Sequence, residues 1–327
     1  MKYRILGKTG YKISEVGFGG WAIGADWGNV SEQQAIETLN AAVDAGVNFI
    51  DTADVYGDGR SEKLIGKLLK QRKERIYVAT KAGRRLNPHV AEGYNKINLN
   101  KFVDRSRKNL GMDCLDLLQL HCPPSTVFYD QRVFEVLEEM VSKGKIKKFG
   151  VSVEKVEEGL KAIEYDGVST VQIIFNIFRQ RPAELFFEQV KKKNIGVIVR
   201  VPLASGLLTG KMTMATKFPS NDHRNYNRQG QAFDRGETFA GVDYKSGLSA
   251  VDELKKIAPK QMSMPQFALK WILMQKEVSV VIPGGKSAEQ VRDNTKVSEL
   301  PNLSGMVMNK VARIYNNKIK KQVHQRW

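Results

Sequence analysis

Apolar and polar positions follow two rhythms along this chain. Short apolar runs predict strands over residues 16–19, 47–51, 76–81, 115–121, 147–152, 170–175, 196–201 and 278–282. Amphipathic stretches between them predict helices over 31–44, 61–71, 98–110, 131–142, 156–164, 182–193, 247–257, 264–275 and 287–297. Ser31 stands where a helix cap is needed, with Glu32 in the first turn and Gly46 as a stop. Gly144 likewise ends the helix over 131–142. Eight strands alternating with helices predict an α/β fold, a closed (β/α)8 barrel of parallel strands. Before them, residues 3–6 and 11–13 flank Gly7-Lys8-Thr9-Gly10 and predict a hairpin. After them, residues 305–320 predict one additional helix. No break in composition marks a second domain and no short repeat recurs, so residues 1–327 read as a single domain.

One stretch departs from the rhythm. Residues 212–246 are polar, contain glycine and carry Phe218, Tyr226, Phe233, Phe239 and Tyr244. A loop this long inside a compact domain is usually functional. It leaves the C-terminal end of the seventh strand, so it is expected over the barrel mouth. It is either mobile until a ligand orders it or held by its own aromatic rings.

Composition narrows the class. The 42% apolar content is enough for a sizeable core. The two cysteines, Cys114 and Cys122, cannot make a disulfide framework, which fits a reducing compartment. No run of 18 apolar residues and no leader-like start occur, so a soluble, cytoplasmic protein without a membrane partner is expected. The net charge of +17 is spread over small clusters near Lys70–Arg75, Lys143–Lys148, Lys191–Lys193 and Lys318–Lys321. Most of these lie at helix ends, where cations suit the helix dipole. No nucleic-acid motif accompanies them, so no nucleic-acid partner is expected. His89, His223 and His324 lack metal-ligand spacing, and no metal is expected.

Three of the predicted strands end on reactive groups: Asp51, Lys81 and His121. Tyr56 follows Asp51 in the loop leaving that strand. In a parallel barrel all four gather at the C-terminal rim, where barrel enzymes place their chemistry. A tyrosine with its ordinary pKa of about 10 is a poor proton donor at neutral pH. A neighbouring lysine cation is expected to lower that pKa, and a carboxylate to hold the lysine in place. A histidine nearby can donate a hydrogen bond to a carbonyl oxygen. The set suits reduction of a carbonyl, where negative charge develops on oxygen.

Other patterns are weaker. Gly17-x-Gly19 begins a dinucleotide fingerprint, but Ala22 replaces its last glycine. Tyr77 and Lys81 have the spacing of a helical Tyr-x-x-x-Lys pair, yet in a strand they would lie about 13 Å apart. Gly206–Lys211 is one residue short of a phosphate loop and is followed by Met212. Cys122, beside His121, is either a reactive thiol or, as favoured here, a small packing residue.

Taken in order, the motifs resemble the aldo-keto reductase family. They comprise Gly17-Phe18-Gly19-Gly20-Trp21, the Asp51–Gly57 segment with Ser61-Glu62, Ala79-Thr80-Lys81 and Leu118-Gln119-Leu120-His121. Gly150-Val151-Ser152, the run from Pro202 to Lys211, and Ile282-Pro283-Gly284-Gly285-Lys286 with Asn294 complete them. The resemblance implies a (β/α)8 barrel plugged by the hairpin. It also implies hydride transfer from a nicotinamide cofactor, NADPH in preference to NADH, to a small-molecule carbonyl substrate. The family's catalytic tetrad maps onto Asp51, Tyr56, Lys81 and His121. Cofactor contacts map onto Gly20, Trp21, Ser152, Gln172 and Arg200. After strand seven they map onto Pro202, Leu203, Ser205, Gly206, Leu208, Gly210 and Lys211. After strand eight they map onto Gly284, Lys286, Ser287, Gln290 and Asn294. Of these, Ser152 and Gln172 would hold the carboxamide, Lys286 and Ser287 a 2′-phosphate, and Asn294 the adenine.

The chain also departs from the family. Val153 replaces an asparagine that would assist Ser152, with Asn176 as the nearest substitute. Arg200 stands where many members carry an aromatic ring under the nicotinamide, and a guanidinium can stack there too. Stacking on a cationic oxidised ring is less favourable, which implies a preference for the reduced cofactor. Gln290 stands where many members carry arginine. Trp21, Trp27 and Tyr129 are expected pocket walls, and Trp327 a frayed end. A further possibility is a cofactor-sensing auxiliary subunit, like potassium-channel β subunits, with little turnover. An oligomer is possible.

Overall fold

The computed structural model describes residues 1–24 and 30–327, so the expected wall Trp27 lies outside the described residues. Strands β1 (Tyr3–Ile5) and β2 (Lys12–Ser14) pair antiparallel, with Tyr3 opposite Ser14. Eight parallel strands follow: β3 (Phe18–Gly19), β4 (Phe49–Asp51), β5 (Tyr77–Ala82), β6 (Leu115–His121), β7 (Ile146–Ser152), β8 (Val168–Ile174), β9 (Gly196–Arg200) and β10 (Val278–Val281). Each is hydrogen-bonded to its neighbour in chain order. Parallel bridges from Val16 to Val281 and from Gly19 to Gly284 join the first edge to the last, which closes the barrel.

Helices α1 (Glu32–Asp44), α2 (Arg60–Gln71), α3 (Lys96–Leu110), α4 (Gln131–Ser142), α5 (Val156–Ala162) and α6 (Phe186–Lys192) cover the outside. Helices α7 (Tyr244–Ile257), α8 (Met264–Leu273), α9 (Ala288–Lys296) and α10 (Gly305–Ile314) complete the ring. Their starts are set by local chemistry. Ser31, Asn95, Asp130, Ser263 and Ser287 each accept a hydrogen bond from a first-turn N–H. No helix among the described residues is long and apolar enough to cross a membrane.

The barrel interior is a packed layer. Phe49, Ala79, Leu117, Ile198 and Val280 point inward from five strands, and Leu6 and Ile13 of the hairpin seal them from below. Closing the bottom with apolar side chains leaves the opposite, C-terminal mouth for polar groups. Arg4 secures the plug by donating to the carbonyls of Leu273, Gln275 and Val278 and pairing with Glu15.

Three segments differ from the sequence pattern, one of them the helix expected over 305–320, which turns into a π-helix over Tyr315–Ile319. The helix expected over 182–193 is split into a 3-10 turn, Arg181–Ala183, and α6. Glu184 leaves helical geometry with ψ −88°, and Phe186 and Phe187 then enter the core. At the other end, Trp327 is not frayed. It is 5% exposed, with the Arg179 guanidinium 4.2 Å from its ring centroid. The pattern could not reveal this, because the packing partners lie far away in the chain.

The loop over 212–246 contains short helical turns, and its rings pack on one another. Phe239 is buried and lies 5.9 Å from Phe218 and 5.1 Å from Tyr244, centroid to centroid. Asp222, His223, Asn227, Glu237 and Thr238 are buried with it. These contacts show the aromatic self-packing expected of this loop.

Candidate active site

The ends of β4, β5 and β6 bring Asp51, Lys81 and His121 to the mouth, and the turn after β4 brings Tyr56. Lys81 Nζ donates to Asp51 Oδ2 at 2.6 Å, to the Thr52 carbonyl at 2.7 Å and to the Tyr56 hydroxyl at 3.2 Å. Asp51 is fixed in turn. Its Oδ1 accepts from Gln172 Nε2 at 2.7 Å and from Gln119 Nε2 at 3.2 Å. His121 is buried and meets the Tyr56 ring edge to face, with centroids 5.9 Å apart. The expected tetrad is therefore one contiguous cluster.

The electrostatics correct one expectation. Burial raises the Tyr56 pKa above its ordinary value and outweighs the opposing Lys81 cation. The phenol thus keeps its proton at neutral pH, and Lys81 limits the rise without reversing it. Lys81 is pushed down by burial, but Asp51 and Tyr56 more than restore it, so it remains charged. His121 is held well below the usual imidazole range by burial and by the Arg84, Lys81 and Arg200 cations, so it is neutral.

Three rings wall the mouth. Trp21 stacks on Tyr56 at 6.0 Å, lies 4.9 Å from His223 and meets Phe233 at 6.0 Å, all between centroids. His223 and Phe233 come from the long loop and were not legible as site residues. Tyr129 corrects the third expected wall. It is 70% exposed, its ring faces Lys161, and it makes no ring or hydrogen-bond contact with the tetrad among the described residues.

Several of the expected cofactor positions have roles within the protein itself. Gln172 has its amide committed to Asp51 and accepts from Ser152 Oγ at 3.3 Å. It therefore acts first as a support of the tetrad. Asn176 donates to the Val201 carbonyl and accepts from the Phe178 N–H, so its side chain braces a turn. Gly20 packs against β4, its N–H bonded to the Asp51 carbonyl at 2.7 Å. Pro202, Leu203, Ser205, Gly206 and Leu208 form the tight turn after β9, with Ser205 at φ +55° and Gly206 at φ +92°. Gly210 ends that turn in the left-handed region, and Lys211 beyond it is exposed. Gly284 is exposed and Asn294 is buried on α9. Ser287 caps α9, while Gln290 folds back to accept from the Lys286 N–H at 2.9 Å. Lys286 is half-buried, and burial together with the Arg224 cation holds its pKa below the usual lysine value.

Arg200 is the largest surprise. It pairs with Glu237 at 3.2 Å and donates to the Val153 carbonyl at 3.0 Å and Cys122 Sγ at 3.4 Å. Arg84 joins it by pairing with Glu237 at 2.6 Å and Glu154 at 3.2 Å. Sequence patterns gave no signal for Arg84, Glu154 or Glu237. Cys122, Glu154 and Glu237 bring ligand-type atoms within 4.8 Å of one another. The two guanidiniums already engage both carboxylates, so the cluster is an ion-pair network. Burial raises the Cys122 thiol pKa despite the Arg200 and Arg84 cations, which suits a packing residue.

Two buried polar atoms in this mouth, the Arg200 Nε–H donor and His121 Nδ1, have no hydrogen-bond partner among the described residues. A bound carboxamide oxygen would supply the acceptor that Arg200 lacks, so the residues present fit a nicotinamide cofactor.

The comparisons agree with this geometry. The sequence signature described as "Aldo/keto reductase family" matches residues 15–316. An aldo-keto reductase of Bacillus subtilis (strain 168), YhdN, is 32% identical over 304 residues, covering 91% of this chain and 89% of that protein. An aldo-keto reductase of Schizosaccharomyces pombe, whose name carries NADP(+), is 31% identical over 295 residues, covering 86% of this chain and 83% of that protein. The solved structure of a glycerol dehydrogenase from Gluconobacter oxydans superimposes with a TM-score of 0.79 at 28% identity, covering 99% of this chain and 96% of that one. The chain belongs to the aldo/keto reductase family of (β/α)8 barrels and is an NAD(P)H-dependent oxidoreductase.

Proposed function

We propose that this protein reduces aldehydes and ketones to alcohols with NADPH, and that Tyr56 donates the proton. The triple engagement of Lys81 by Asp51, Thr52 and Tyr56 carries this reading. When bound, the cofactor supplies a hydride to the carbonyl carbon. The chain's own residues handle the oxygen. The raised pKa of Tyr56 keeps the phenol protonated until charge appears on that oxygen. As the proton leaves, Lys81 at 3.2 Å compensates the nascent phenolate, and Asp51 prevents Lys81 from turning away. Neutral His121 donates an imidazole N–H to the same oxygen and aims the carbonyl. Trp21, His223 and Phe233 exclude water from the space above Tyr56. Lys286, with Arg224 close enough to shift it, supports a phosphate-bearing cofactor.

The test is absorbance at 340 nm with NADPH and a panel of aldehydes and ketones, for wild type and Tyr56→Phe. Loss of turnover by a factor of about 100 or more with NADPH binding retained is expected. Equal turnover in both proteins would overturn the role of Tyr56. NADPH binding without turnover of any carbonyl by the wild type would point instead to an auxiliary cofactor-sensing subunit.

A further inference from the structure

Trp327 lies past every catalytic element, yet it is joined to the active site in a few steps. Its Nε1 donates to Asp234 Oδ2 at 3.0 Å. Asp234 caps the 3-10 turn Arg235–Glu237 by accepting from the Gly236 N–H at 2.7 Å. That turn ends in Glu237, whose carboxylate is set between Arg84 and Arg200 at the mouth. A second route runs through Arg179, which lies over the indole at 4.2 Å and donates to the Glu154 carbonyl. The Glu154 carboxylate returns to Arg84.

Two glycines make room for the ring and the groups that hold it. A methyl group at Gly241 would overlap the far edge of the indole, and one at Gly236 would overlap Arg179 Nη1 and stand 2.6 Å from Asp234 Oδ1 and 3.1 Å from Trp327 Cε2. The same terminal segment grips the end of the loop again, where Gln322 Oε1 accepts from the Asp243 N–H at 3.0 Å. The indole is thus bonded by its N–H, stacked by a cation and received by two side-chain-free positions, all on or beside one loop.

We propose that Trp327 is a positioning residue that fastens the loop over 212–246 across the barrel mouth, and so sets how fast the nicotinamide cofactor leaves. The proposal rests on the reading that the cofactor lies beneath this loop. Trp327 touches none of the tetrad among the described residues, so it acts through Asp234 and Glu237 and leaves the hydride step itself alone. Its indole contributes a ring to Arg179 and a donor to Asp234, and these two parts can be separated by substitution.

The test compares wild type, Trp327→Ala, Trp327→Phe and Gly241→Ala. Amide hydrogen exchange without cofactor reads the latch alone. Exchange over 222–241 is expected to rise about tenfold in Trp327→Ala, with Trp327→Phe in between because it keeps the ring and loses the N–H. With NADPH, stopped-flow release is expected to be about tenfold faster in Trp327→Ala, while single-turnover reduction at saturating cofactor stays within about twofold. Gly241→Ala, which expels the ring from the other side, is expected to speed release similarly and to add little to Trp327→Ala. Unchanged exchange and unchanged release in Trp327→Ala would overturn the proposal. So would slowed single turnover with normal release, which would place the residue in the chemistry. A wild type that binds no NADPH would defeat the cofactor reading, and the release role with it. Wild-type binding with an unaltered mutant would defeat the latch alone.

Discussion

A phenol half-buried at the mouth of a barrel holds its proton more firmly than one in water, and Tyr56 shows what that implies. The sequence pattern placed Lys81 beside it and led to the expectation of a lowered pKa. The pattern could not weigh burial, which dominates here. Asp54, between Asp51 and Tyr56, shows the same force on a carboxyl. It is fully buried, its oxygens make no side-chain hydrogen bond among the described residues, and burial with Glu62 nearby pushes its pKa up to about 7. A carboxyl raised on folding contributes stability below its unfolded pKa and loses it as pH climbs through the folded value. For Asp54 the loss spans pH 3.8 to about 7. Asp54→Asn, which keeps the shape and removes the charge, should therefore stabilise the protein by about 2–4 kcal/mol at pH 8 and by little near pH 3.5. Urea titrations at the two pH values measure this, and equal gains at both would contradict it.

Among the elements, periodicity worked best where a segment answers to one neighbour on each side. Strand β6 and helix α4 occupy the residues expected for them, Leu115–His121 and Gln131–Ser142. It worked least where partners come from elsewhere in the chain. Trp327 meets Asp234 and Arg179, and Glu237 meets Arg84 and Arg200, none of which leaves a local trace. Three of the tetrad's side chains were legible because each caps a strand, and Gln119 was not recognised because strand alternation hides which polar residue supports Asp51. Strand pairing itself yields a test. Gly150 on β7 lies against Thr170 of β8 so closely that a methyl group would meet its hydroxyl and carbonyl. Gly150→Ala should cost about 1–3 kcal/mol through forced separation of the two strands. A thermal melt superimposable on wild type would show that the sheet can absorb the methyl.

At the scale of the molecule, ligand binding adds to folding stability by an amount that grows with the logarithm of affinity. Lys286 and Arg224 lie close enough for one cation to lower the other's pKa, and Arg200 is paired with the Glu237 carboxylate. NADPH should therefore raise the melting temperature more than NADH at the same concentration, and Lys286→Ala should shrink the difference. An identical shift from both cofactors in wild type would remove the 2′-phosphate from the argument. NADPH should also outperform NADP+, because the Arg200 guanidinium repels a cationic ring more than a neutral one. Glu237 lessens that repulsion, so the preference is expected to be about tenfold or less, readable by fluorescence titration.

Joining Val16 to Val281 and Gly19 to Gly284 has a consequence for how the protein is made. Until the ribosome has delivered residues near 284, the nascent sheet keeps two open rims, on β3 and on β9, and each is a row of unspent peptide groups. Such rims invite pairing with another chain. The plug has the same dependency, since Arg4 waits for carbonyls at Leu273, Gln275 and Val278. Stalled or truncated products of this gene should therefore aggregate or require a chaperone, while the finished barrel, having no rim, does neither.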